Sequence, residues 1–319
     1  MGILEVRNLT IDYLTDGGAA LHAVDDVGFD LEQGRSLGLV GESGCGKTTT
    51  MLGLLRLLPA EGRITSGEVC YQDIDLLRIS EREMRKYRWS KISIVFQGAM
   101  NALNPVRKVG DQISEVILLH GAATDKGEAN KRVAELLELV GITPEMAFQY
   151  PHQYSGGMRQ RAMIAMALAC SPDVLIADEP TTALDVMIQA QILDLLQNLQ
   201  KELNLSIVMV THNLGVVAEI CDDVLVMYGG KTAEYASVDV IYNDPLHPYT
   251  QRLLQAFPDV DDPASTLASI PGHPPPLDAL PPGCRFEPRC HCREDVCAVQ
   301  DPPLVMVMAG HYVACHLVK

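Results

Sequence analysis

Residues 36 to 55 read SLGLVGESGCGKTTTMLGLL, and this stretch restricts the fold more than any other part of the chain. The apolar run 36–41 ends in glycine, as a buried strand does. From Lys47 the pattern turns helical, with Leu52, Leu55 and Leu58 at intervals of three. In between, Gly41-x-x-x-x-Gly46-Lys47-Thr48 puts glycines where the backbone needs positive φ and close approach to a ligand. Successive N–H groups then form an anion nest at the positive end of a helix. Lys47 would neutralise β- and γ-phosphates, and the Thr48 hydroxyl would hold Mg²⁺. Gly41, Ser43, Gly44, Cys45, Gly46, Lys47, Thr48 and Thr49 are the candidate cradle for ATP. Cys45 reads as a space-filling loop residue, since no partner base can be assigned to it.

The rest of the pattern extends this core. Strands are expected at 3–14, within LHAVDDVGFDL, as a pair within 64–75, and at 91–97, 173–178, 206–212 and 223–228. Helical spacing dominates 109–157, where Val133, Leu136, Leu137 and Val140 form one apolar stripe. The expected fold is α/β: a P-loop ATPase core with a mainly parallel sheet plus an antiparallel β portion, an inserted helical subdomain, and a small metal-stapled module at the C-terminus. The expected boundaries are 1–245 for the ATPase domain, with the helical subdomain at about 98–157. Residues 246–282 form a helix and Pro-rich linker, and 283–319 the cysteine-rich module. Eight prolines within 258–282 mark that linker as extended.

Asp178 and Glu179 follow the apolar run Val174-Leu175-Ile176-Ala177. One carboxylate at a strand end can complete the Mg²⁺ shell, and a second beside it can serve as general base toward water. The formal net charge of −16 disfavours a nucleic-acid partner. Neither a signal peptide nor a membrane-length apolar run is read in the sequence, so a cytoplasmic chain is expected.

YSGGMRQR at 154–161, DVLIADEPTTALD at 173–185 and THN at 211–213 resemble the ordered motifs of ABC-transporter ATPases. The resemblance covers essentially the whole chain. It implies that Tyr13 stacks on adenine and that Gln97 touches Mg²⁺ and the attacking water. It implies that Ser155, Gly156 and Gly157 cap the γ-phosphate of ATP held by an opposite cassette, and that Asp185 crosses that interface. His212 would contact the γ-phosphate and orient Glu179. Thr48, Gln97 and Asp178 are thus the candidate Mg²⁺ ligands, and Glu179, His212 and Gln97 the candidate catalytic residues. A second cassette, a paralogue by the resemblance, would be obligatory for turnover.

HPYTQRLL at 247–254 and the C-terminal cysteines resemble the ATPase subunits of di- and oligopeptide importers. The implied assembly has two membrane permeases, an external solute-binding protein, and this chain on the cytoplasmic face. Relatives carrying nickel, opines or oligosaccharides, and a soluble non-transport ABC ATPase, are the alternatives. Two departures are Gly98-Ala99 after Gln97 and the run Glu234-Tyr235-Ala236. In the tail, Cys284, Cys290, Cys297 and Cys315 have spacing suited equally to structural zinc or an iron–sulfur cluster. The resemblance implies a 4Fe-4S cluster. Cys292 has no place in that pattern, and His291, His311 and His316 read as surface histidines.

Overall fold

The computed structural model describes residues 2–15, 17–98, 102–182, 184–256 and 270–318. They fall into two compact units, one of Met1–Leu31, Ser36–Leu77 and Val210–Lys319, the other of Glu32–Arg35 and Arg78–Met209.

The first unit holds an antiparallel sheet in the order Ala20–Leu31, Leu4–Leu14, Gly62–Tyr71, Ile74–Asp75. Its first strand buries Leu4 and Val6, then Leu9 and Ile11. The switch from even to odd positions comes from register shifts between Val6 and Ile11, where Asn8 has φ 49°. An extra residue in a strand moves every later side chain to the other face, and asparagine tolerates the left-handed backbone this requires. The Asn8 amide donates to Asp26 at 2.6 Å, and Asp26 is itself left-handed, at φ 57°.

A second sheet in this unit starts with the fully buried Ser36–Val40, parallel to Asp223–Tyr228. Lys231–Ser237, His311–Val313 and Val305–Met308 continue it antiparallel. The last three strands are absent from the sequence reading. Lys231–Ser237 escaped because Glu234 stands, with no exposure, where a strand pattern calls for an apolar residue. Its carboxylate is satisfied by the N–H groups of Leu246 (2.8 Å) and His247 (3.1 Å) and by His311 Nε2 (2.8 Å). Burial of a charge is tolerated when it is hydrogen-bonded in this way.

The expected helix near 247–258 is Pro248–Gln255, with Pro248 in its first turn. Of the expected linker, 257–269 lies outside the described residues, and 270–282 forms neither helix nor strand. His247 caps the helix: its Nδ1 accepts from the Tyr249 N–H at 3.0 Å. Burial lowers the pKa of His247 to about 4. The ring is therefore neutral when folded, and protonation at Nδ1 would abolish the cap. A depressed folded pKa means that stability is present above the ordinary value near 6.5 and is lost as pH falls toward 4. The full effect is about 3 kcal/mol. Denaturation midpoints should fall between pH 7 and pH 5, and His247→Asn, which caps without titrating, should flatten that fall. An equal fall in the variant would remove His247 as its source.

The second unit pairs Ile92–Val95 parallel with Val174–Asp178, register Ile92 to Val174 and Val95 to Ala177. Ser206–Val210 flanks Val174–Asp178 on the other side. Helices Val109–Leu119 and Lys126–Leu139 make the inserted helical part. The second starts at Asp125, whose side chain accepts from the Glu128 N–H, and buries Ala129, Val133, Leu136 and Leu137. Among the described residues no helix is long and apolar enough to cross a membrane.

Candidate nucleotide site

The phosphate loop lies in the first unit, leading from Ser36–Val40 into helix Lys47–Leu54. Gly41 has φ 147°, and a Cβ there would stand 2.2 Å from the Met227 carbonyl oxygen. Gly46 has φ 100°, and a Cβ would meet the Ala23 carbonyl at 2.5 Å. Both positions therefore require glycine. Ser43, Gly44 and Thr48 are exposed along the loop crest, while Gly46 and Thr49 are half-buried. Lys47 is buried, and its Nζ donates to the carbonyls of Gly41 (2.7 Å) and Glu42 (3.0 Å). Cys45 is 2% exposed and lies 3.7 Å from that ammonium. Burial raises its thiol pKa more than the Lys47 charge lowers it, so the thiol packs and does not react.

Tyr13 sits in strand Leu4–Leu14 opposite Leu21 and Gly62. A Cβ on Gly62 would stand 3.1 Å from the Tyr13 ring, so the small residue makes room for the aromatic. His212 is exposed, two residues beyond the end of strand Ser206–Val210.

In the second unit Asp178 ends strand Val174–Asp178 and is 1% exposed. Glu179 follows in the left-handed region at φ 46°. That conformation costs a β-carbon residue on the order of 1 kcal/mol, and it turns the side chain away from the strand direction. Glu179 Oε2 accepts from Gln97 Nε2 at 3.0 Å and from the Thr182 hydroxyl at 2.7 Å. Gln97 lies just past strand Ile92–Val95. With its amide nitrogen committed to Glu179, its oxygen is left as a donor for a hard cation. Gln97 and Asp178, both of this unit, offer oxygen, the donor type that suits Mg²⁺. Thr182 is a partner of Glu179 that the sequence reading missed. Gly98 has φ 70°, and Ala99 lies outside the described residues.

Ser155 caps helix Gly156–Ala167, accepting from the Met158 N–H at 3.2 Å. Gly157 packs so closely that a Cβ would meet Ile188 at 2.7 Å. Asp185 caps Val186–Leu203 through the Ile188 N–H at 3.0 Å. Val186 and Met187, which open that helix, are 79% and 73% exposed. An apolar pair left in solvent beside Asp185 is the kind of surface that a second protein covers.

In the tail, Cys284 is pushed up to about 11, first by burial; the Phe286 N–H opposes this, and the charges of Cys297, Cys290 and Cys315 add to it. Cys290 and Cys315 are also raised by burial, against N–H groups of Cys292 and of Leu317 and Val318 respectively. Both also feel Cys292, which is exposed. Among the described residues no group of three or more His, Cys, Asp or Glu could hold a metal ion. The expectation of zinc or a cluster at these four thiols thus gains no support from a preassembled ligand set. His311, expected at the surface, is 1% exposed and bound to Glu234.

Residues 24–182 match the ABC transporter family model, and residues 233–297 match the oligopeptide/dipeptide transporter C-terminal region. The dipeptide transport ATP-binding protein DppD of Bacillus subtilis is 47% identical over 99% of this chain and 94% of its own length. The oligopeptide transport ATP-binding protein OppD of Salmonella typhimurium is 46% identical over 98% of this chain and 93% of its own. The ATP-binding cassette MJ0796, solved as a dimer with ADP and Pi after hydrolysis, superposes with a TM-score of 0.65 at 29% identity. That superposition covers 74% of this chain and 98% of the cassette. The strand–loop–helix at Gly41–Thr48, the Asp178–Glu179 strand end and these likenesses agree, and the chain belongs to the ABC-transporter ATP-binding family, with the C-terminal region of its oligopeptide/dipeptide branch.

Proposed function

We propose that this chain is the ATP-hydrolysing subunit of an importer for di- or oligopeptides. The observation that carries the reading is likeness along almost the whole chain to peptide-transport ATP-binding proteins, together with an intact set of Lys47, Asp178, Glu179 and His212. Lys47 and the loop N–H groups bind phosphates. Thr48, Asp178 and Gln97 would hold Mg²⁺, which would supply positive charge to offset the phosphates. Glu179 takes the proton from the attacking water, with Gln97 and Thr182 fixing its carboxylate. Ser155, Gly156, Gly157 and Asp185 serve the partner cassette's nucleotide, and the exposed Val186 and Met187 fit an interface there. The partner is a paralogous cassette, and the pair docks on two permeases at the cytoplasmic face of the membrane. Uptake by vesicles holding this chain, the second cassette and the permeases, supplied with the binding protein, tests the reading. ATP-dependent entry of a short peptide supports it. Entry of nickel, an opine or an oligosaccharide instead would reassign the solute. ATPase activity indifferent to any permease would favour a non-transport role.

The same reading places a 4Fe-4S cluster on Cys284, Cys290, Cys297 and Cys315, in a structural role. The spacing of these four cysteines is what supports it. Anaerobically purified protein should be brown, with iron and sulfide in equal amounts. Serine at any of the four should bleach it, and Cys292→Ser should not. Colourless protein with one zinc per chain would replace the cluster by zinc.

A further inference from the structure

Glu42 is an odd residue to find inside an anion-binding loop. A carboxylate beside phosphates repels them, and a low-dielectric surrounding strengthens that repulsion. Here the charge is masked from the tail. Arg289 donates to both carboxylate oxygens of Glu42, at 2.6 and 3.1 Å. Its side chain is only 5% exposed, and that of Glu42 26%. The guanidinium also donates to the Tyr228 hydroxyl at 3.2 Å and to the carbonyls of Pro271 (2.8 Å), Ile270 (3.3 Å) and Gly272 (3.4 Å). A part-buried, two-pronged pair of this sort is directional as well as strong.

Two further ties run between the tail helix region and the same loop. The Glu42 N–H donates to the Tyr249 hydroxyl at 2.9 Å, and Tyr249 packs on Tyr228 and Phe286 at ring distances of 4.6 and 5.3 Å. Arg285, four residues before Arg289, donates to the Gly229 carbonyl and pairs with Asp25. The adjacent Gly230 N–H donates to the Cys45 carbonyl at 3.1 Å. Arg289 thus holds the phosphate loop directly and Arg285 reaches it only by way of Gly229 and Gly230, and Arg289 is joined directly to Cys290.

We propose that Arg289 masks the Glu42 charge within the phosphate loop, so that seating of the cysteine-rich tail and nucleotide affinity form one coupled equilibrium. The proposal rests on the reading that residues 41–48 hold the phosphates. Coupling is reciprocal: a seated tail tightens nucleotide binding, and bound nucleotide holds the tail in place.

The test measures MgADP affinity of the full chain, purified with its tail intact. Arg289→Met unmasks Glu42 and should weaken binding about tenfold, within the range common for coupled sites. Arg289→Lys keeps the charge without the fork and should lose less. In the double variant Glu42→Gln/Arg289→Met no carboxylate is left to unmask, and affinity should return to within about twofold of the parent. A tail arginine that matters only for folding would not be rescued by a change in the loop. Lys47→Ala is the control: if it leaves affinity unchanged, the phosphate reading fails first. If Lys47→Ala weakens binding while Arg289→Met does not, the coupling is overturned and the loop assignment stands. Should Arg289→Met fail to fold, amide exchange of the parent chain decides. MgADP must slow exchange across residues 284–297, and no slowing overturns the proposal.

Discussion

Replacing Glu179 by glutamine is expected to lower ATP turnover by about 10²–10⁴-fold, the usual contribution of a general base. The substitution keeps the size of the side chain and one acceptor oxygen. The hydrogen bonds from Gln97 and Thr182, both to Oε2, can therefore persist, and only basicity is lost. The left-handed backbone at Glu179 places no demand on side-chain charge, so stability should change little. Asp178 is untouched, so Mg²⁺ and ATP should still bind. The outcome is a chain that binds nucleotide, does not turn it over, and holds the closed cassette pair. The assay is hydrolysis by the assembled complex, beside a complex in which both cassettes carry the change, because an unaltered partner cassette can still fire. Near-normal turnover in the doubly altered complex would remove Glu179 as the base.

The parts of the molecule legible in its sequence are those whose chemistry is local. Gly41 and Gly46 announce themselves because their spacing to Lys47 and Thr48 lies within a motif of eight residues, although the carbonyls that a Cβ would strike, those of Met227 and Ala23, lie far off in sequence. Helix Lys126–Leu139 shows its apolar stripe because one side of it is buried and the other is not. Strand Lys231–Ser237 was silent for the opposite reason. Its central buried residue is Glu234, and what makes that burial tolerable, His311, lies 77 positions away. Partnerships of this length leave no periodic trace. Gln97 and Glu179 stand 82 residues apart, and their family motifs were legible although their contact was not. Glu42 and Arg289 stand 247 apart, and nothing local to either one signals the other. The one available hint was chemical: an acidic residue inside an anion loop needs a cation from elsewhere, and the tail places arginines beside its cysteines.

Lys47→Ala is expected to weaken ATP binding over a hundredfold. A lysine facing two phosphates makes charge-assisted contacts whose joint loss amounts to about 3 kcal/mol. The loop geometry adds a second effect. The Lys47 ammonium is held by the carbonyls of Gly41 and Glu42 and is buried among them. Without it, two carbonyl oxygens in the loop lose their donor, and their partial negative charges face the incoming phosphates. Phosphate must therefore overcome a site that has lost a cation and exposed acceptors together. Arginine is too large and too rigid for the same buried position, so Lys47→Arg should rescue poorly despite its charge. Nucleotide titration of the isolated chain reads the effect without involving turnover. Parental affinity in Lys47→Ala would mean that the phosphates do not sit in the Gly41–Thr48 loop, and the assignment of the whole cradle would fall with it.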